Sequence, residues 1–216
     1  SFPTRRSSDL SGKTTLVKLL LGYFAPTSGN IFLGDIPLQD YDMTSWRHSC
    51  GVVLQDSHVF SESLARNIAV EDKHIDRTRL RTAARQANLE EFIEKLPLKY
   101  QTMVGAEGVG LSRGQEQRIF IARALYKDPS FVFLDEATNS LDANNERIIT
   151  GNLLDFCKGR TVLIVAHRLS TIRHADKIVV LHKGRIVEEG THDELCARHG
   201  YYYELINNQL IAMGNE

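Results

Sequence analysis

Cysteine, tryptophan and long hydrophobic runs are what this 216-residue chain has least of. Cys50, Cys157 and Cys196 are odd in number, stand far apart and show no CxxC spacing. That excludes a disulfide framework and leaves free thiols in a reducing compartment as the expectation. No apolar stretch reaches the ~18–20 residues of a membrane span, and no signal peptide is recognisable. The chain is therefore expected to face the cytosol, free or tethered to something that does not. A net charge of −1 argues against non-specific binding to nucleic acid or to an anionic membrane surface. With 42% apolar and 25% charged residues, the chain can form one well-cored domain or a domain with a subdomain.

Order begins at Ser11. Thr14–Leu21 reads as a leucine-rich helix stopped by Gly22. A turn over Pro26–Gly29 precedes a short strand at Ile31–Leu33, a short helical stretch lies around Trp46–Arg47, and Gly51–Leu54 is a buried strand running into Gln55. Helical spacing over Ile75–Ala87 and Leu89–Leu96, with Asn88 as a candidate N-cap, predicts a mainly helical subdomain over about 62–127. Strand and helix signals then alternate through Phe131–Leu134, Asn145–Phe156, Thr161–Val165, Lys177–Leu181 and Arg185–Glu188, which favours a parallel sheet flanked by helices. Thr191 and Glu194 form a capping box for a helix near 192–199, and a last helix runs near Tyr201–Leu210. Internal repeats and low-complexity tracts are not evident.

Residues 1–10, SFPTRRSSDL, follow neither period. Ser1–Asp9 translate the successive codons TCT TTC CCT ACA CGA CGC TCT TCC GAT, and CTN gives Leu10; that string resembles the end of a short-read sequencing adapter. Residues 1–10 are accordingly expected to be non-native, a reading that a genomic amplicon carrying these codons contiguously would sink.

Three segments carry chemistry. SGKTT, Ser11–Thr15, is the back half of the phosphate loop GxxxxGK[ST] and opens a helix. Gly12 lets the backbone approach an anion, Lys13 offers a point charge to β- and γ-phosphates, Thr14 can ligate Mg²⁺, and the helix N-terminus adds its dipole. FVFL, Phe131–Leu134, ends in Asp135–Glu136, so a buried strand delivers one carboxylate suited to Mg²⁺ and another suited to polarising a water. LSRGQ, Leu111–Gln115, brings a serine, a glycine and a helix start, all suited to phosphate oxygens. The front of the phosphate loop is irregular: Ser7 stands where the first glycine is wanted, and Asp9 and Leu10 fill positions that should be small and uncharged. A Cβ where φ is positive and a carboxylate facing a polyphosphate both oppose nucleotide binding.

From Ser11 onward, these motifs in this order resemble the nucleotide-binding domain of an ATP-binding cassette (ABC) transporter. SGKTT is similar to the end of its Walker A loop, Gln55 to its Q-loop, LSRGQ to its signature, FVFLDE to its Walker B, Ser140–Leu141–Asp142 to its D-loop and His167 to its switch histidine. The resemblance implies an α/β P-loop NTPase fold with a mainly parallel sheet core and an inserted helical subdomain, using ATP and Mg²⁺. It assigns Mg²⁺ to Thr14, Gln55 and Asp135, a general-base or water-orienting role to Glu136 and a γ-phosphate contact to His167. The Gln55 amide would meet Mg²⁺ or the attacking water and report γ-phosphate to a neighbouring domain. Leu111, Ser112, Arg113, Gly114 and Gln115 would close over the ATP of a second nucleotide-binding domain in a head-to-tail dimer, with Asp142 coupling the two sites. Arg113 stands where many members have glycine. The other seven histidines are expected at the surface.

LQDYDMTSWRHSCGVVLQDSHVFSESLARNI and the stretch VGAEGVG (Val104–Gly110) resemble the exporter type. Ala106 in that stretch and LDANNE (Leu141–Glu146) resemble peptidase-containing bacteriocin exporters. A transmembrane exporter domain is thus the implied partner, with no nucleic acid, and the cytoplasmic face of the bacterial inner membrane the implied place. The resemblance also implies N-terminal strands ahead of Walker A that residues 11–216 do not include. Two alternatives stand beside this: a soluble ABC-type ATPase on DNA or the ribosome, and, for this literal chain, a catalytically impaired fragment. The stretch between Lys13 and Ser112 has no heptads, which disfavours the DNA-repair type.

Overall fold

A computed structural model describes residues 12–166 and 172–213, with side chains to residue 208. The chain divides into two compact units, one of residues 39–164 and the other of residues 1–38 and 165–216, each taken here by itself.

The 39–164 unit is organised by β3 (Cys50–Val53), β4 (Phe131–Asp135) and β5 (Thr161–Val165), with β4 in the middle. β3 and β4 are parallel, Val53 facing Leu134. Their near-continuous apolar runs fit strands covered on both faces: Cys50, Gly51 and Val53 are buried, as are Val132 through Asp135. Between β3 and β4 the chain makes α3 (Leu64–Ile68), α4 (Arg77–Gln86), α5 (Glu90–Glu94) and α6 (Arg113–Lys127); α2 (Met43–His48) precedes β3 and α7 (Ala143–Cys157) follows β4. One core joins these helices to the sheet, with Leu64, Ile68, Leu89, Ile93, Ile119, Ile121 and Ile149 almost wholly inaccessible. Each residue of that set removes of the order of 1.5–3 kcal/mol of apolar surface from water.

Asn88 does not cap α5. It sits at φ 53° just past α4, where its short side chain makes the left-handed conformation affordable, and Leu89 occupies the N-cap position without a side-chain cap.

The other unit holds α1 (Lys13–Leu20), a two-residue hairpin of β1 (Phe32–Leu33) and β2 (Ile36–Pro37), and a second hairpin of β6 (Ile178–His182) and β7 (Arg185–Gly190), followed by α8 (His192–Ala197) and α9 (Tyr201–Met213). β6 and β7 pair antiparallel, whereas alternation alone favours parallel pairing. Lys183 and Gly184, both at positive φ, make the two-residue connection that matches strand twist. Thr191 and Glu194 form the expected capping box on α8. Ile178, Val180, Leu195, Tyr202 and Ile206 make this unit's core. His182 and His192 are half-buried against Tyr201 and Tyr202 rather than surface residues.

Among the described residues, no helix is long and apolar enough to cross a membrane.

Candidate ATP site

The parallel register carries two chemically useful side chains to one place. Gln55 lies two residues beyond Val53 and Glu136 two beyond Leu134, so the pairing Val53–Leu134 sets them side by side at the strand ends. The Gln55 Nε2 donates to Glu136 Oε2, and the Asn139 Nδ2 donates to the same oxygen at 2.6 Å. Glu136 itself takes φ 53°, a conformation an ordinary residue adopts only where its surroundings hold it. Asp135, the last residue of β4, is 1% exposed. A carboxylate so placed belongs with a cation or with donors. Oxygen donors of this kind, with the amide oxygen of Gln55 turned away from Glu136, suit a hard ion such as Mg²⁺.

The signature segment begins α6. Ser112 Oγ accepts from the Gln115 N–H at 3.3 Å, and Gln115 Oε1 accepts from the Ser112 N–H at 2.8 Å, a complete capping box. Leu111 packs partly against the core, while Ser112 and Arg113 are exposed. Gly114 is close to the D-loop: a Cβ there would stand 3.3 Å from the Ser140 carbonyl oxygen, tighter than most such contacts. Leu141 is buried, and Asp142 caps α7 by accepting from the Asn145 N–H at 3.0 Å. Hydrogen bonds from the Asn145 backbone and side chain hold the Asp142 carboxyl below its usual range.

Several residues that sequence reasoning passed over shape this region. Gln117 Nε2 donates to the Ala137 carbonyl at 2.7 Å, fixing the chain just after Glu136. Arg123 donates from Nε to the Asn67 carbonyl at 2.8 Å and from its terminal nitrogens to the His58 carbonyl, anchoring the segment after Gln55 to α6. Burial pushes its guanidinium down to about 10. Asn67, fully buried, reaches back to Phe60 and Glu62. Single Asn, Gln and Arg residues on helices carry no motif, so nothing in their spacing marks them.

Gly12, Lys13, Thr14 and Thr15 belong to the other unit. Gly12, the N-cap of α1 at φ 87°, has no side chain to cap the helix, and a Cβ there would be strained. Ser11 and His167 lie outside the described residues.

In one unit, acids at a strand end with an amide beside them suit hydrolysis of a phosphate bond; in the other, a glycine-started helix suits phosphate binding. The fold is that of a P-loop ATPase. The model of the ABC transporter family matches residues 11–139, more than half of the chain. The ATP-dependent lipid A-core flippase of Chromohalobacter salexigens is 46% identical over 195 residues, 90% of this chain and 34% of that protein. The Toxin RTX-I translocation ATP-binding protein of Actinobacillus pleuropneumoniae is 45% identical over 196 residues, 90% of this chain and 28% of its own length. The solved structure of a bacterial Atm1-family ABC exporter with ATP bound superposes with TM-score 0.88 at 38% identity, covering 92% of this chain and 35% of that one. The chain belongs to the ABC transporter family, as an ATP-binding domain of the exporter type. It spans about a third of the length of these relatives.

Proposed function

We propose that this domain hydrolyses ATP with Mg²⁺, paired head-to-tail with a second nucleotide-binding domain, and that the cycle drives export through a transmembrane domain at the cytoplasmic face of a membrane. The observation that carries the reading is the Gln55–Glu136 contact at the ends of adjacent parallel strands. Glu136 accepts a proton from, or orients, the attacking water; Gln55 and Asn139 hold its carboxylate in one rotamer. Mg²⁺ would neutralise charge on the phosphates, held by Asp135, the Thr14 hydroxyl and the Gln55 amide oxygen. Lys13 and the amides opening α1 take the phosphates of this chain's own ATP, and His167 reaches the γ-phosphate. Ser112, Gly114 and Gln115 face the partner's ATP, flanked by Leu111 and Arg113, while Ser140–Asp142 link the two sites. The relatives named above are a lipid flippase and a toxin translocation protein. Lipid, peptide and protein cargo are therefore the classes to test, with the bacteriocin-type variants LDANNE and Ala106 favouring peptide.

The test is ATP turnover by the chain with its loop repaired (Ser7→Gly, Asp9→Ser, Leu10→Gly), with and without Glu136→Gln. Turnover should fall about 100-fold or more in the Glu136→Gln protein, while ATP still binds. Undiminished turnover would remove Glu136 from the mechanism. The unrepaired chain should bind ATP more weakly than the repaired one, and equal micromolar affinity would show that Ser7, Asp9 and Leu10 do no harm.

A further inference from the structure

Resting on that reading, we propose that Asn145 is a positioning residue that ties the D-loop to the signature helix, so that the loop carrying Asp142 shifts together with the helix that begins at Ser112. Its side-chain amide is used at both ends. Nδ2 donates to Asp142 Oδ2 at 2.5 Å while the backbone N–H takes Oδ1 at 3.0 Å, so both oxygens of the D-loop carboxylate are engaged by one residue. Oδ1 accepts from Asn88 Nδ2 at 2.7 Å and, more weakly, from Arg118 Nη1 at 3.4 Å.

Arg118 closes the circuit on α6. It donates from Nη1 to the Asn88 carbonyl at 2.6 Å and from Nε at 3.3 Å to the carbonyl of Gly114, inside the signature. Two further contacts run alongside, Gln117 to the Ala137 carbonyl and Gly114 against the Ser140 carbonyl. A movement of α6 that reseats Gly114 therefore moves Arg118, and through Asn145 it moves Asp142.

The polarity of the circuit specifies an amide. The residue must offer a donor to a carboxylate on one side and an acceptor to two nitrogen donors on the other. Serine has one hydroxyl for both tasks, and aspartate would set a second carboxylate against Asp142. The left-handed backbone of Asn88 serves the same purpose, because it exposes both its carbonyl and its side-chain amide to this cluster.

The experiment is residue-resolved amide hydrogen exchange on the full chain without nucleotide, so its outcome is independent of whether ATP is turned over. Three proteins are compared: unsubstituted, Asn145→Asp, and the exchanged pair Asp142→Asn with Asn145→Asp, which restores the hydrogen bond with reversed polarity. The informative amides are Leu141, bonded to the Thr138 carbonyl, and Ser112 and Gln115, bonded within the capping box; Phe131, bonded to the Ser49 carbonyl, is the control.

In Asn145→Asp, Leu141 and the two signature amides should exchange about tenfold faster, with Phe131 unmoved. In the exchanged pair all three should return to within about threefold of the unsubstituted chain. Acceleration at Leu141 alone, uniform acceleration including Phe131, or no recovery in the exchanged pair would overturn the proposal. Should Asn145→Asp not fold, a folded exchanged pair with restored signature protection supports it, and an unfolded pair refutes it. Absence of ATP turnover, by contrast, would refute the function proposed above and leave the exchange result standing.

Discussion

Two helices of this chain begin where phosphate chemistry is expected, and they begin in opposite ways. α6 starts inside its own capping box, with Ser112 and Gln115 satisfying each other's N–H groups. α1 starts at a glycine in the left-handed region, which has no side chain of its own to serve as a cap. A helix end that carries its own side-chain cap is stable before a ligand arrives; one without leaves that role to backbone groups or to an anion. On the proposed function, the signature is a preformed surface for the partner's nucleotide, whereas the start of α1 takes the phosphates of this chain's own ATP.

Three substitutions sharpen or break that contrast. The largest effect should come from Lys13→Ala in the loop-repaired chain: ATP affinity should drop by roughly 10- to 100-fold, as expected for losing a charged hydrogen bond of about 1.5–3 kcal/mol, read by calorimetry. Ser112→Ala should act on the fold instead. Losing the N-cap costs about 1 kcal/mol and should lower the nucleotide-free melting temperature by about 2–4 °C. If Ser112→Ala left the melting point unchanged, the capping box would not be the reason α6 is preformed.

The smallest effect concerns acid. Hydrogen bonds from Asn145 hold the Asp142 carboxyl below its ordinary 3.8. A depressed folded-state value contributes stability above the unfolded value, and that contribution fades as pH falls from about 3.8 through the lower folded value. Melting curves between pH 5 and about pH 2 should therefore steepen less for Asp142→Asn than for the unsubstituted chain, and parallel curves would contradict the assignment.

How much of this was legible beforehand differs between the two units. In the 39–164 unit, apolar runs bounded by turns located β3, β4 and β5 to within a residue or two, and the motif DE marked the strand end that matters. Asn88 was misread because asparagine suits both a helix N-cap and the left-handed residue after a helix; only tertiary contact with Asn145 and Arg118 decides between them. In the other unit the β6–β7 hairpin had a local signal, a Lys183–Gly184 pair between two apolar runs, which alternation of strand and helix overrode. The amide network around Asn145 had no signal at all. It depends on residues from two helices and the turn between α4 and α5 meeting, and no local period records that.

The register between β3 and β4 bears on which length changes the family can tolerate. Gln55 meets Glu136 because each lies two residues beyond the last paired residues of the strands, Val53 and Leu134. Inserting or deleting one residue between either side chain and its strand would shift it relative to the other and part the pair. The long helical excursion between the strands is under no such constraint, since its surface loops can lengthen at small entropic cost. Length variation among homologous cassettes should therefore gather between residues 62 and 112 and spare the few positions on either side of Val53 and Leu134.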